Sequence, residues 1–317
     1  MPNGSRFPAL YSLAERQYRH AARAARLARS LRVGRVARFL QRAADERRGR
    51  REPFRVVVPR PGGDVAFHMD PVLGTDNIVT QIAQHGWHAF ERPCPDVFAA
   101  ACARWGGRVL DVGANTGFYS LLATAVHPTI RTVAFEPYPP VARLLDGNVA
   151  RHPGRSRIEI VRHAVGSEIG SAKLYVPDAS HGLVESSSSL SATFKESTST
   201  IEVPVTTLDA GIEQWSGTTI VKIDVEGFEH AVLQGAVELL RRYQPVVFIE
   251  ILPRAELDSI SAIQLELGYI DVRLRPTEAI IGEAIAFDPD GWNHMLVPAA
   301  MVGEARRLLA EASLSVA

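Results

Sequence analysis

Val109-Leu110-Asp111-Val112-Gly113-Ala114-Asn115-Thr116-Gly117 decides the fold. An aliphatic strand over 108–110 closes on a carboxylate, passes through a turn of small residues with two glycines four positions apart, and enters the apolar run 118–125. That succession is the strand-turn-helix opening of a doubly wound α/β sheet, whose ligands bind at the carboxyl ends of the strands. Glycine at Gly113 and Gly117 admits positive φ and lets a ligand approach the backbone. The stretch differs from a dinucleotide fingerprint, because G-x-G-x-x-G is absent and Asp111 closes the strand. A carboxylate there repels a pyrophosphate and attracts a ligand that is cationic at that end, as S-adenosylmethionine is. A βα turn that needs Gly and Asn only for its backbone angles is the plainer reading of the same residues.

Working outward, Thr132-Val133-Ala134-Phe135 reads as a second strand ending at Glu136-Pro137. An acidic residue at that place, some 20 or more positions past the glycine turn, accepts ribose hydroxyls in such sheets. Glu136 is equally readable as a turn residue ahead of a helix opened by Pro139-Pro140. Strand 158–161 leads into Arg162-His163-Ala164-Val165-Gly166, where Ala164 and Val165 are candidate contacts for the adenine end, or simply a corner.

Further along, Ile220-Val221-Lys222-Ile223-Asp224-Val225-Glu226-Gly227-Phe228-Glu229 hands a strand to a helix through a charged turn. Spaced i, i+2, i+4, Lys222, Asp224 and Glu226 project to one side while the backbone stays extended. A parallel partner, Val246-Val247-Phe248-Ile249-Glu250, also ends in a carboxylate, so Asp224 and Glu250 are expected to face each other. Two close carboxylates push one pKa upward and serve as a general base, or they hold a divalent cation. Alternatively Lys222 neutralises a buried carboxylate while Glu226 and Glu229 cap the helix. Lys222, Asp224, Glu226 and Glu250 are the catalytic candidates, and no dedicated metal ligands are assigned.

These blocks, together with Phe135-Glu136-Pro137, Thr207-Leu208-Asp209 and Val232-Leu233-Gln234-Gly235, resemble the FkbM-type branch of the class I methyltransferases. The resemblance implies a mostly parallel, doubly wound, seven-stranded sheet with helices on both faces. It further implies S-adenosylmethionine as cofactor and O-methylation of a hydroxyl on a sugar, glycan or polyketide-type metabolite. Under it Asp111, Gly113, Asn115 and Glu136 become cofactor residues, with Ala114 and Gly117 in the same loop, and 224–229 lies beside the reacting methyl. Family members often carry Tyr-Glu-Pro near the start of the domain, where this chain reads Phe90-Glu91-Arg92-Pro93. Competing classes are a nucleotide-dependent oxidoreductase, disfavoured by Asp111 and the missing third glycine, and a cofactor-binding partner protein without catalysis.

Composition fits an enzyme domain with an extension: 317 residues, 46% hydrophobic and 22% charged, with a net charge of +0. The neutrality hides an asymmetry, since residues 1–55 hold fifteen Arg and no Lys against Glu15, Asp45, Glu46 and Glu52. We read 1–52 as a basic helical extension, 53–107 as a hairpin and helices leading into the core, 108–300 as the methyltransferase domain and 301–317 as a terminal helix and tail. The arginines of 10–40 recur every three or four positions, so an anionic membrane surface is one expected partner, at about 1 kcal/mol per arginine, and a merely solvated helix is the other reading. Few aromatics are interleaved, so no nucleic acid partner is expected. Cys94 and Cys102 make no disulfide framework and are expected to be half-buried thiols in a reducing, cytoplasmic setting, with peripheral attachment at the inner membrane face. Residues 177–200 read as a long Ser/Thr-rich loop whose His181, Glu185 and Ser188 reach toward the acceptor, or as a polar loop without function.

Overall fold

The computed structural model describes residues 53–60, 63–71, 76–177, 188–191 and 197–316. The arginine-rich 1–52 and the loop residues His181 and Glu185 lie outside the described residues.

A hairpin of β1 (Phe54–Val58) and β2 (Val65–Met69) precedes two helices, α1 (Asn77–His85) and α2 (Cys94–Trp105). Asp76 caps α1, its Oδ1 accepting from Val79 N at 2.9 Å. The main sheet then starts with β3 (Arg108–Val112), followed by α3 (Phe118–Val126), β4 (Arg131–Phe135), α4 (Pro139–Arg151) and β5 (Ile158–Val161). Next come β6 (Ala164–Val165), β7 (Gly170–Pro177) and β8 (Ser197–Thr206), which form a separate three-stranded sheet in the order β6-β8-β7. The chain returns through β9 (Thr218–Ile223), α5 (Glu229–Gln234), α6 (Val237–Tyr243), β10 (Val246–Glu250) and α7 (Leu257–Glu266). It closes with β11 (Tyr269–Leu274), β12 (Glu278–Gly282), β13 (Asn293–Pro298), α8 (Val302–Glu311) and β14 (Ser315–Val316).

Main-sheet order is β14-β12-β11-β13-β10-β9-β3-β4-β5. Strands β5, β4, β3, β9 and β10 run parallel, and β13 is inserted antiparallel between β10 and β11. The sheet therefore holds nine strands where seven were expected. The added ones are β12 and β14, short edge pieces that a search for continuous apolar runs passes over. After α8, Ser315 and Val316 pair parallel with Glu278 and Ala279 of β12 at the edge of the main sheet.

The central strands are continuous apolar runs because both faces are covered. On one face α1, α2, α3, α4 and α8 pack with the hairpin; on the other lie α5, α6 and α7. Cys94 and Cys102 are fully buried on the first face, not half-buried. Register fixes which polar groups share it. Asp111 of β3 lies opposite Lys222 of β9, and Lys222 lies opposite Phe248 of β10. Two residues on from Phe248, Glu250 sits opposite Asn293 of β13. Asp111, Lys222 and Glu250 thus rise from the α3 side of the sheet toward its carboxyl edge.

Candidate active site

The glycine turn is held by its neighbours. Gly113 N and Ala114 N both donate to Phe135 O, at 3.1 and 2.9 Å, tying the end of β3 to the end of β4. Asn115, in the left-handed region at φ 52°, donates its N–H to Glu136 Oε2 at 3.0 Å, and Tyr138 N donates to Glu136 Oε1 at 2.8 Å. Glu136 is 6% exposed, and burial pushes its carboxyl up to about 7 against the opposing pull of those two N–H groups. It stands where a ribose acceptor is expected, and it also clamps the loop.

Gly113 has a sharper reason to be glycine than ligand approach. At φ +80° a Cβ would stand 1.8 Å from the carbonyl oxygen of Asp224. The turn after β9 presses against the turn after β3, and Asp224 N donates to Val112 O at 3.0 Å to hold it there. Gly117, at φ +93°, begins α3 where a Cβ would meet Leu145 Cδ1 at 2.5 Å, so helix packing demands it. Asp111 is 1% exposed and receives the Ser120 hydroxyl at 2.6 Å. Burial raises its carboxyl to about 6 against the opposing pull of the Ser120 hydroxyl. Ala114, within the loop, is buried. Ala164 and Val165 form a short strand paired with Val205 and Thr206, not an open corner. Their side chains are buried, Val165 within the main core and Ala164 against the small sheet.

At the end of β9, Lys222 is 1% exposed and its Nζ lies 3.3 Å from Asp224 Oδ2. Burial disfavours the charged ammonium, but Asp224, Glu91, Cys94 and Glu250 outweigh that and raise its pKa, so it stays charged. Burial, then the charges of Asp224, Glu91 and Glu226, keep the Glu250 carboxyl well above the usual carboxylate range. Structure thus gathers Lys222, Asp224 and Glu250 as expected. Glu226 differs: the strand stops at Ile223, and Glu226 takes φ 58°, so the expected alternation does not extend to it. Its carbonyl accepts the Ser189 hydroxyl at 2.7 Å, a tie from the Ser-rich segment to this turn. Glu229 is buried and turns back, its Oε1 accepting from Gly227 N at 3.0 Å and Val225 N at 3.3 Å. Among the described residues, no group of three or more His, Cys, Asp or Glu side chains is arranged to hold a metal ion.

Glu91 and Tyr119 join this cluster without having been candidates. The Tyr119 hydroxyl donates to Glu91 Oε2 at 2.7 Å, and Lys222 Nζ lies 5.1 Å from the Tyr119 ring centroid. The signal in the sequence was Phe90-Glu91-Arg92-Pro93, read only as a departure from Tyr-Glu-Pro. Ser188 lies among the described residues and is half-buried.

A doubly wound sheet with a clamped glycine turn after its first central strand and a buried carboxylate after the second defines a nucleoside-cofactor α/β protein. The Methyltransferase FkbM domain matches residues 111–270, just over half of the chain, which belongs to the FkbM methyltransferase family. The 31-O-demethyl-FK506 methyltransferase FkbM of Streptomyces tacrolimicus is 39% identical over 77 residues, 24% of this chain and 29% of that protein. A 44-residue stretch is 50% identical to the AMB antimetabolite synthetase AmbE of Pseudomonas aeruginosa, covering 14% of this chain and 2% of the synthetase. The chain thus spans less than a third of the curated relatives it matches. Methyltransferase FkbM from Methylobacillus flagellatus, a solved structure, is similar with TM-score 0.42 and 17% identity over 71% of this chain and 54% of that one. No helix among the described residues is long and apolar enough to cross a membrane.

Proposed function

We propose that this chain transfers a methyl group from S-adenosylmethionine to a hydroxyl of a small-molecule or glycan acceptor. The observation that carries the reading is the meeting, on one edge of one sheet, of a glycine loop clamped by Glu136 and a cluster of Lys222, Asp224 and Glu250.

The donor set fits the cofactor. Glu136 is a buried carboxylate with acceptor capacity beyond its two N–H partners, suited to ribose hydroxyls, whose donation would draw its raised pKa down. The backbone of Gly113, Ala114, Asn115 and Gly117 would line the ligand, and Asp111 would favour its cationic amino-acid end through the field. When bound, the cofactor supplies an electrophilic methyl on a sulfonium. The carboxylates beside Lys222 would accept the hydroxyl proton, an effect of about 10²–10⁴-fold, and alignment of the acceptor contributes roughly 7–11 kcal/mol. The arginine-rich 1–52 is proposed to meet an anionic membrane surface.

Isothermal titration of the full chain with S-adenosylmethionine and with NAD tests this. Binding of the first and not the second supports methyl transfer; the reverse order of affinity would hand the site to hydride chemistry.

A further inference from the structure

Glu91 lies outside the family-matched region, on the segment that leads from the hairpin into the sheet. Its backbone is held at φ 48°, a region residues other than glycine seldom occupy and one that tends to mark functional sites. Its Oε2 receives the hydroxyl of Tyr119, a residue in the first turn of α3 directly after the glycine loop. The ammonium of Lys222 lies against the same ring and pairs with Asp224. Glu91 is thus tied to the first turn of α3, in the field of the charged end of β9.

We propose that Glu91 is the proton acceptor of the site, giving up its own proton when a sulfonium ligand arrives and taking the acceptor's hydroxyl proton as the methyl moves. This rests on the methyl-transfer reading above. The charged groups acting on Glu91 are the carboxylates of Asp224, Asp111 and Glu250 and the ammonium of Lys222, with the Tyr119 phenol and the Cys94 thiol beside it. One ammonium does not compensate several neighbouring carboxylates, so the cluster retains protons near neutrality. Burial is the largest cause of the upward shift at Glu91, followed by Asp224; the carboxyl stands at about 7, close to working pH, and it is Glu91 that the Tyr119 hydroxyl ties to the start of α3. In the transfer, the acceptor oxygen bonds to the methyl carbon as the methyl–sulfur bond breaks. Sulfur keeps the electron pair and becomes neutral, and the hydroxyl proton passes to the Glu91 carboxylate. The next sulfonium ligand expels that proton to solvent, so each cycle releases one proton.

The test needs no acceptor. S-adenosylmethionine and S-adenosylhomocysteine share ribose and amino-acid end, so Glu136 and Asp111 respond alike to both, and the difference between them isolates the sulfonium. Calorimetric titration of the full chain at pH 7 in phosphate and in Tris counts protons from the buffer dependence of the heat. We expect S-adenosylmethionine to release up to about half a proton more than S-adenosylhomocysteine. Glu91→Gln should abolish that difference, and Glu250→Gln should keep it. A difference that survives Glu91→Gln, or that disappears in Glu250→Gln, overturns the assignment. Should Glu91→Gln not fold, Tyr119→Phe decides: it deletes the hydrogen bond that lowers the Glu91 carboxyl, so half-maximal release must move to higher pH, and an unmoved profile refutes the proposal. Binding of both ligands without excess release refutes this proposal alone; failure of both to bind refutes the methyl-transfer reading with it.

Discussion

Replacing Lys222 by methionine removes a buried ammonium while keeping most of the aliphatic volume, so the change is chiefly one of charge. In the wild type that ammonium pairs with Asp224 at 3.3 Å and lowers the carboxyls of Glu91 and Glu250. Breaking a buried pair from one side costs about 3–5 kcal/mol when the remaining charge cannot be neutralised. At pH 8 that full cost is expected. At pH 5 Glu91 carries its proton, less negative charge is stranded, and the cost falls toward about 1 kcal/mol of imperfect packing. The sign follows from linkage. A carboxyl whose folded pKa lies above its unfolded value contributes stability that is complete below the unfolded value and lost as pH climbs through the folded one. For Glu91 the wild-type window runs from about 4.5 to about 7, and loss of Lys222 stretches it upward. Urea unfolding of wild type and Lys222→Met at pH 5 and pH 8, followed by circular dichroism, measures the gap. An equal gap at both pH values would mean that the ammonium is not balancing these carboxylates.

Gly113→Ala should destabilise by more than about 2 kcal/mol, since its Cβ would drive into the Asp224 carbonyl from a left-handed backbone; a melt within about 0.5 kcal/mol of wild type would contradict the close approach. Glu136, raised from 4.5 to about 7, makes the wild type lose stability as pH rises through that interval, and Glu136→Gln should flatten the slope in a pH series of melting temperatures; an unchanged slope would place the titration elsewhere. The full chain should sediment with anionic vesicles at low salt and release at high salt, and glutamines in place of the arginines from Arg16 to Arg42 should abolish it. Indifference to vesicles at low salt would remove the membrane proposal.

The parallel core was legible because its strands are continuous apolar runs ending in carboxylates, a pattern imposed by burial on both faces. Strands β12 and β14 were not, because a five-residue and a two-residue edge piece carry no such run. Lys222, Asp224 and Glu250 were readable as a group from strand ends, since parallel register places them together whatever their rotamers. The extended alternation that was to place Glu226 ends at Ile223, in a turn whose left-handed residue no periodicity announces, although the Glu226 charge still acts on Glu250. Glu91 was undervalued for a different reason: its partners Tyr119 and Lys222 are brought to it by helix docking, and no local spacing encodes a contact of that kind. Gly113 was singled out for ligand approach, and the carbonyl that requires a glycine there belongs to Asp224 of the chain itself.

Affinity of Glu136→Ala for S-adenosylmethionine, set beside that of the wild type in the same calorimeter and with folding checked by circular dichroism, tests the account most directly. Loss of a hydrogen-bonding carboxylate should weaken binding by about 1.5–3 kcal/mol, roughly ten- to a hundred-fold in Kd. A folded variant that binds S-adenosylmethionine as tightly as the wild type would contradict the placement of the cofactor at this edge of the sheet.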